Sequence, residues 1–166
     1  MTTHPDSIIS KIPKNKMSYI PIPADKNIEN LEIYNSNNRY KDLFFALSHG
    51  VNFGKLKPNN TDERETFLNE LLQKNKKLTF NILGYASEQP KWNYQYFNEL
   101  SKCKMALNLS RGIPSKYASS NRIASLIANG IMTFIDKKVM YQDFFTDNEM
   151  GFYKNSDDLI NQLERL

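Results

Sequence analysis

Arg111, Lys116 and Arg122 fall within twelve positions, and no acidic residue separates them. They belong to the stretch Asn108-Leu109-Ser110-Arg111-Gly112-Ile113-Pro114-Ser115-Lys116-Tyr117-Ala118-Ser119-Ser120-Asn121-Arg122, which passes from an apolar run through a Gly-Pro loop into a helical pattern. The first turn of a helix presents N–H groups without intrahelical acceptors, and Arg or Lys beside it supplies the counter-charge that a phosphate or diphosphate needs. Arg111, Lys116, Ser119, Ser120, Asn121 and Arg122 are therefore candidate anion ligands. The same composition also describes a solvated basic loop in which Ser119 or Ser120 merely caps the helix.

A second candidate loop is Ser48-His49-Gly50-Val51-Asn52-Phe53-Gly54-Lys55. Gly50 and Gly54 would let the backbone approach a ligand, and Lys55 would reach a phosphate. The spacing is neither that of a Walker loop nor that of the G-x-G-x-x-G fingerprint, so a plain turn explains it equally well. A third is Asp136-Lys137-Lys138, where the carboxylate would either accept from sugar hydroxyls or stabilise a turn. Trp92, Tyr94, Tyr96 and Phe97 are candidates for stacking on a base or sugar, with Trp92 and Tyr94 as the expected exposed pair, while Phe97 and Leu100 read rather as helix core. Cys103, His4 and His49 have no metal-ligand spacing, and Cys103 reads as a small buried hydrophobe.

These loops need elements to hold them, and the chain supplies an alternation. Leu43 to Ser48 is a continuous apolar run of the kind found in strands covered on both faces. A helix is predicted from Thr61 to about Lys74, with Thr61 as N-cap and an apolar stripe of Phe67, Leu68, Leu71 and Leu72. A strand over Leu78 to Leu83, a helix near Tyr94 to Lys102 and a strand over Met105 to Leu109 follow. Next come a helix from about Ser119 to Ala128, stopped by Asn129-Gly130, and a strand over Ile131 to Ile135. A short helix over Val139 to Phe145, a strand at Gly151 to Tyr153 and a terminal helix over Ser156 to Leu166, capped by Ser156, complete the series. About five repeats of strand and helix imply an α/β fold, a Rossmann-like parallel sheet with helices on both faces. In such sheets ligands bind at the carboxyl ends of the strands, where the three candidate loops fall.

The first forty residues differ in texture, with Pro13, Pro21 and Pro23 and only one short strand candidate at Met17 to Pro21. Residues 1–40 thus read as a connector and residues 41–166 as one domain, a division that suits 166 residues in all. The net charge of +4 arises from 22 basic and 18 acidic residues spread along the chain, without a basic stripe interleaved with aromatics, so a nucleic acid partner is not expected. No apolar run reaches the length of a membrane span, and Met1 to Pro23 lacks the apolar segment of a secretory signal, which predicts a cytoplasmic protein.

Ser101 to Ser110, SKCKMALNLS, followed by Ser119 to Asp136, SSNRIASLIANGIMTFID, resembles the donor-binding region of group 1 glycosyltransferases of the GT-B fold. The ending from Tyr141 through Gly151-Phe152-Tyr153 to Leu159 is similar to that family's closing pattern, and Tyr19-Ile20-Pro21-Ile22-Pro23-Ala24-Asp25 resembles the segment that crosses into its C-terminal domain. The resemblance covers about residues 40 to 166. It implies a nucleotide-sugar-binding C-terminal half that transfers a glycosyl group from a nucleotide-diphosphate sugar to an unknown acceptor, with the donor as substrate and no further cofactor. It also implies a separate acceptor-binding domain or subunit. Carried onto this chain, it places Gly50 and Gly54 near the donor phosphates, Arg122 and the amides of Ser119 to Asn121 at the diphosphate, and the loop from Gly84 to Trp92 near the base. Many members carry glutamates in the helix that here reads Ile123, Ala124 and Ser125, and this chain has no acid between Glu99 and Asp136. No catalytic base is assigned, although His49 stands beside the cleft as a candidate. The alternative is a non-catalytic fragment or subunit that binds a nucleotide without turnover.

Overall fold

A computed structural model of the chain describes residues 12–48, 63–86 and 88–165. Five strands form one parallel sheet: β1 (Lys41–Ala46), β2 (Phe80–Leu83), β3 (Cys103–Asn108), β4 (Met132–Asp136) and β5 (Gly151–Tyr153), in the spatial order β2-β1-β3-β4-β5. Four helices connect or follow them: α1 (Glu63–Lys74), α2 (Asn93–Leu100), α3 (Asn121–Ala128) and α4 (Ser156–Leu163). The expected Rossmann-like α/β architecture is therefore present.

Alternation along β1 explains both layers. Leu43, Phe45 and Leu47 face Leu68 and Leu71 of α1 and Leu159 and Leu163 of α4. Phe44 faces the other way, into a cluster with Leu100 of α2 and Leu126 of α3. Every one of these side chains is almost fully buried, and each contributes about 1.5–3 kcal/mol relative to exposure. A strand covered on both sides has no polar face to alternate with, which is why its sequence is a continuous apolar run.

The short strand expected at Met17 to Pro21 is reduced to a single bridged residue, Tyr19. Pro21 cannot donate to a ladder, and the Tyr19 ring packs instead on Tyr117 and Phe144, with centroids at 5.3 and 5.8 Å. The helix expected at Val139 to Phe145 is two 3-10 turns, Lys137–Val139 and Tyr141–Asp143. Met140 between them is left-handed at φ 61° and interrupts a continuous helix. Asn155 rather than Ser156 caps α4, its Oδ1 accepting from the Asp158 N–H at 2.9 Å. The Ser156 hydroxyl is engaged elsewhere, donating to Glu70 and accepting from Lys74 of α1.

The segment ahead of β1 is tied to α3. The Ile22 N–H donates to the Ser119 hydroxyl at 2.9 Å, and the Leu31 N–H donates to Asn129 Oδ1 at 3.1 Å. Ile33 enters the same cluster as Leu126 and Ile131. Asn129 is fully buried and also donates to the Ser125 carbonyl at 2.8 Å. Replacing it by Ala leaves the Leu31 N–H without its acceptor, so Asn129→Ala is expected to cost about 1–3 kcal/mol. A urea titration reads this as a lower midpoint with little change in slope.

Candidate functional site

Strand order 2-1-3-4-5 places the reversal of winding between β1 and β3, where ligands bind in open parallel sheets. A cavity of about 700 Å³ opens there. Its floor is the end of β1 with the residues after it, Ala46 to Ser48, and the end of β3 with Leu109 and Ser110. One wall is Trp92 and Tyr96 at the start of α2, and the other is the first turn of α3 with the loop before it.

Charge on this lining has one sign. Arg64, Lys91, Arg111 and Arg122 border the cavity, and no Asp or Glu does among the described residues. Arg122 is held by its own strand end: Nη1 donates to the Leu109 carbonyl at 2.9 Å, and the guanidinium carbon lies 4.8 Å from the Phe45 ring centroid. At the opening of α3 the Ser120 hydroxyl accepts from the Ile123 N–H at 3.4 Å, while the Asn121 N–H has no acceptor among the described residues. A helix start with an unengaged N–H beside a fixed guanidinium offers the donors and the positive charge that an anion takes.

Lys91 is positioned from behind. Its ammonium lies 3.1 Å from Glu99 Oε1, which also takes Lys102 at 3.0 Å, and Asn81 donates to Oε2 at 3.2 Å. Burial alone would raise the Glu99 carboxyl, but the bonds from Lys102, Lys91 and Asn81 outweigh it and hold the group below its ordinary value of 4.5. A carboxyl lowered on folding contributes stability that is present above 4.5 and is lost as pH falls through its folded value. Melting temperatures of the wild type and Glu99→Gln should accordingly differ most at neutral pH and converge below pH 4.5. Burial pushes the Tyr96 phenol up to about 12, with Arg122 opposing, so it remains a donor rather than a base.

Of the residues singled out from the sequence, Arg111, Ser119, Ser120, Asn121 and Arg122 line the cavity together. Lys116 does not, and its ammonium lies 4.6 Å from the Tyr117 ring centroid. The Ser119 hydroxyl faces Ile22, as described above. His49, Gly50, Gly54 and Lys55 lie outside the described residues, as does Thr61. Asp136 is a turn residue, its Oδ1 accepting from the Lys138 N–H at 2.8 Å. Trp92 reaches the cavity rim at 60% exposure, and Tyr94 does not line it. Cys103 is buried in β3 and burial pushes its thiol up to about 11, so it is an unreactive core residue. Tyr96, one of the stacking candidates, also lines the cavity, whereas sequence reasoning missed Arg64 and Lys91. Arg64 stands among the acids of a first helical turn and reads as solvated, although it is only 7% exposed.

A family model described as glycosyl transferase-like matches residues 63–166, more than half of the 166-residue chain. The chain belongs to this glycosyl transferase-like family. No curated protein matches it. The family's matched region contains α1, both walls of the cavity and the β3 part of its floor, but begins after β1. Membership assigns the chain to glycosyl transfer in general. No helix among the described residues is long and apolar enough to cross a membrane, and no metal-holding cluster of His, Cys, Asp or Glu occurs among them.

Proposed function

We propose that the cavity at the β1/β3 switch point binds the nucleoside diphosphate of an activated sugar, so that the chain is the donor-binding half of a glycosyltransferase. The observation that carries this reading is the lining itself, with four cations and no carboxylate among its described residues around the opening of α3. A diphosphate gains negative charge on the leaving oxygen as the glycosidic bond breaks. Groups already fixed at that place stabilise the transition state more than the ground state. Arg122 meets this condition because Leu109 and Phe45 hold it before a ligand arrives. Lys55 and Lys116 remain proposed contributors from the flanking loops, and Trp92 offers an aromatic face for the base.

The described lining contains no Asp, Glu or His, and the Tyr96 phenol stays protonated. This favours an acceptor-binding domain or subunit as the source of any base. It equally favours the second reading, a module that binds nucleotide without turnover. Titration calorimetry against UDP, GDP, ADP and inorganic pyrophosphate tests the common step, and the expected result is saturable binding of at least one nucleoside diphosphate. If none binds, the donor-site reading fails. Release of UDP or GDP from the matching nucleotide sugar by this chain would then exclude the second reading.

A further inference from the structure

We infer that Asn108 is a specificity-determining residue whose carboxamide takes a hydroxyl of the bound ligand; the inference rests on the nucleoside diphosphate reading above. Asn108 is the last residue of β3 and lines the cavity, yet it is only 5% exposed. Its carboxamide has no hydrogen-bond partner among the described residues, nor are its polar atoms sealed from the cavity. A carboxamide that opens on a cavity without a partner from the chain is a donor and acceptor pair that water fills in the free protein and a ligand hydroxyl can take over.

Its placement selects that partner. Alternation along β3 puts Asn108 on the same sheet face as Ala106, beneath α2 and α3. The next carbonyl, that of Leu109, holds the Arg122 guanidinium. The carboxamide therefore sits beside the anion site instead of in the core. Phosphate oxygens only accept hydrogen bonds, and the guanidinium, ammonium and helix N–H groups already supply donors. A hydroxyl must also donate, and the described lining has no carboxylate to receive it. The side-chain carbonyls that remain are those of Asn108 and Asn121, and Asn121 is exposed at the opening of α3. Asn108 is the buried one, and its amide can accept from and donate to the same hydroxyl.

The test uses the full chain, wild type and with Asn108→Leu or Asn108→Ala, and calorimetry with pyrophosphate, UDP, GDP, UDP-glucose and GDP-mannose. Pyrophosphate affinity should stay within about twofold in both variants. Affinity for the hydroxyl-bearing ligands should fall about tenfold, the size of a buried neutral hydrogen bond. Loss already present with UDP and GDP, and equal for the two, assigns a ribose hydroxyl, the part they share beyond the diphosphate, whereas loss confined to the nucleotide sugars assigns the sugar; loss with only one nucleotide points to its base and overturns the inference. Asn108→Leu should also melt a few degrees higher without ligand, since an apolar group of similar size replaces an unpartnered amide. Should that variant not fold, Asn108→Ala carries the comparison. Equal loss of pyrophosphate and nucleotides, or no loss of either, overturns the inference while leaving the donor site intact. A wild type that binds none of the five overturns both.

Discussion

Arg122→Ala is expected to weaken nucleoside diphosphate binding by about 10- to 100-fold, corresponding to one charge-assisted contact of about 1.5–3 kcal/mol. The size of the effect comes from preparation. The Leu109 carbonyl fixes one nitrogen of the guanidinium and its central carbon lies over the Phe45 ring, so little side-chain entropy remains to be lost when a phosphate arrives. Arg122→Lys should recover only part of the affinity, because an ammonium keeps the charge but not the planar fork that can meet Leu109 and a phosphate at once. Calorimetry with UDP or GDP, paired with a thermal melt, checks both variants. A loss under twofold in Arg122→Ala, with the fold intact, would remove Arg122 from the site.

Gly84→Ala should produce the largest loss of stability, about 3 kcal/mol or more. Gly84 has φ +71°, where an L-residue pays about 1–2 kcal/mol. A Cβ there would also lie 2.2 Å from the Leu47 carbonyl oxygen, an atom of the backbone that cannot swing aside. Overpacking of this kind adds about 1–3 kcal/mol. Since the Leu47 N–H donates to the Leu83 carbonyl across the sheet at 2.8 Å and Leu47 itself borders the cavity, the strain reaches the cavity wall. Gly130→Ala is the control. It has the same φ, but its obstacle is the ring of Tyr34, which is exposed and can rotate away. Chemical denaturation should show a much smaller loss there, and nucleotide affinity should hold.

The order of elements was legible because each strand is short, apolar and bounded by polar loops, and α1, α3 and α4 carry clear apolar stripes and first-turn signals. Boundaries moved by a few residues where the decisive contact is distant in sequence. Ser156 has the right type for an N-cap, but α1 claims its hydroxyl, and Asn155 takes the role. Met140 gives no sign in the sequence of its left-handed backbone, so a broken pair of turns reads as one helix. At the site, the basic loop that lines the cavity was legible from Arg111 and Arg122 ahead of a capped helix, although Lys116 of the same cluster lies outside the lining. Arg64 and Lys91 were not, because only the folding of the sheet brings α1 and the loop ahead of α2 to the same cavity. Asn108 was read only as part of a polar loop. Its meaning depends on a low exposure confined to the cavity side with no partner among the described residues, a property of three dimensions that no spacing encodes.

The place of β1 in the sheet bears on how this protein can be divided. The matched family region begins at residue 63, while β1 ends at Ala46 and sits between β2 and β3. Excising the chain at the start of that region would remove an interior strand, not a border one. Two long-buried edges would then face water with unsatisfied N–H and C=O groups, the condition under which sheets recruit strands from other molecules and aggregate. The stretch that carries the family likeness is smaller than the stretch that must fold together.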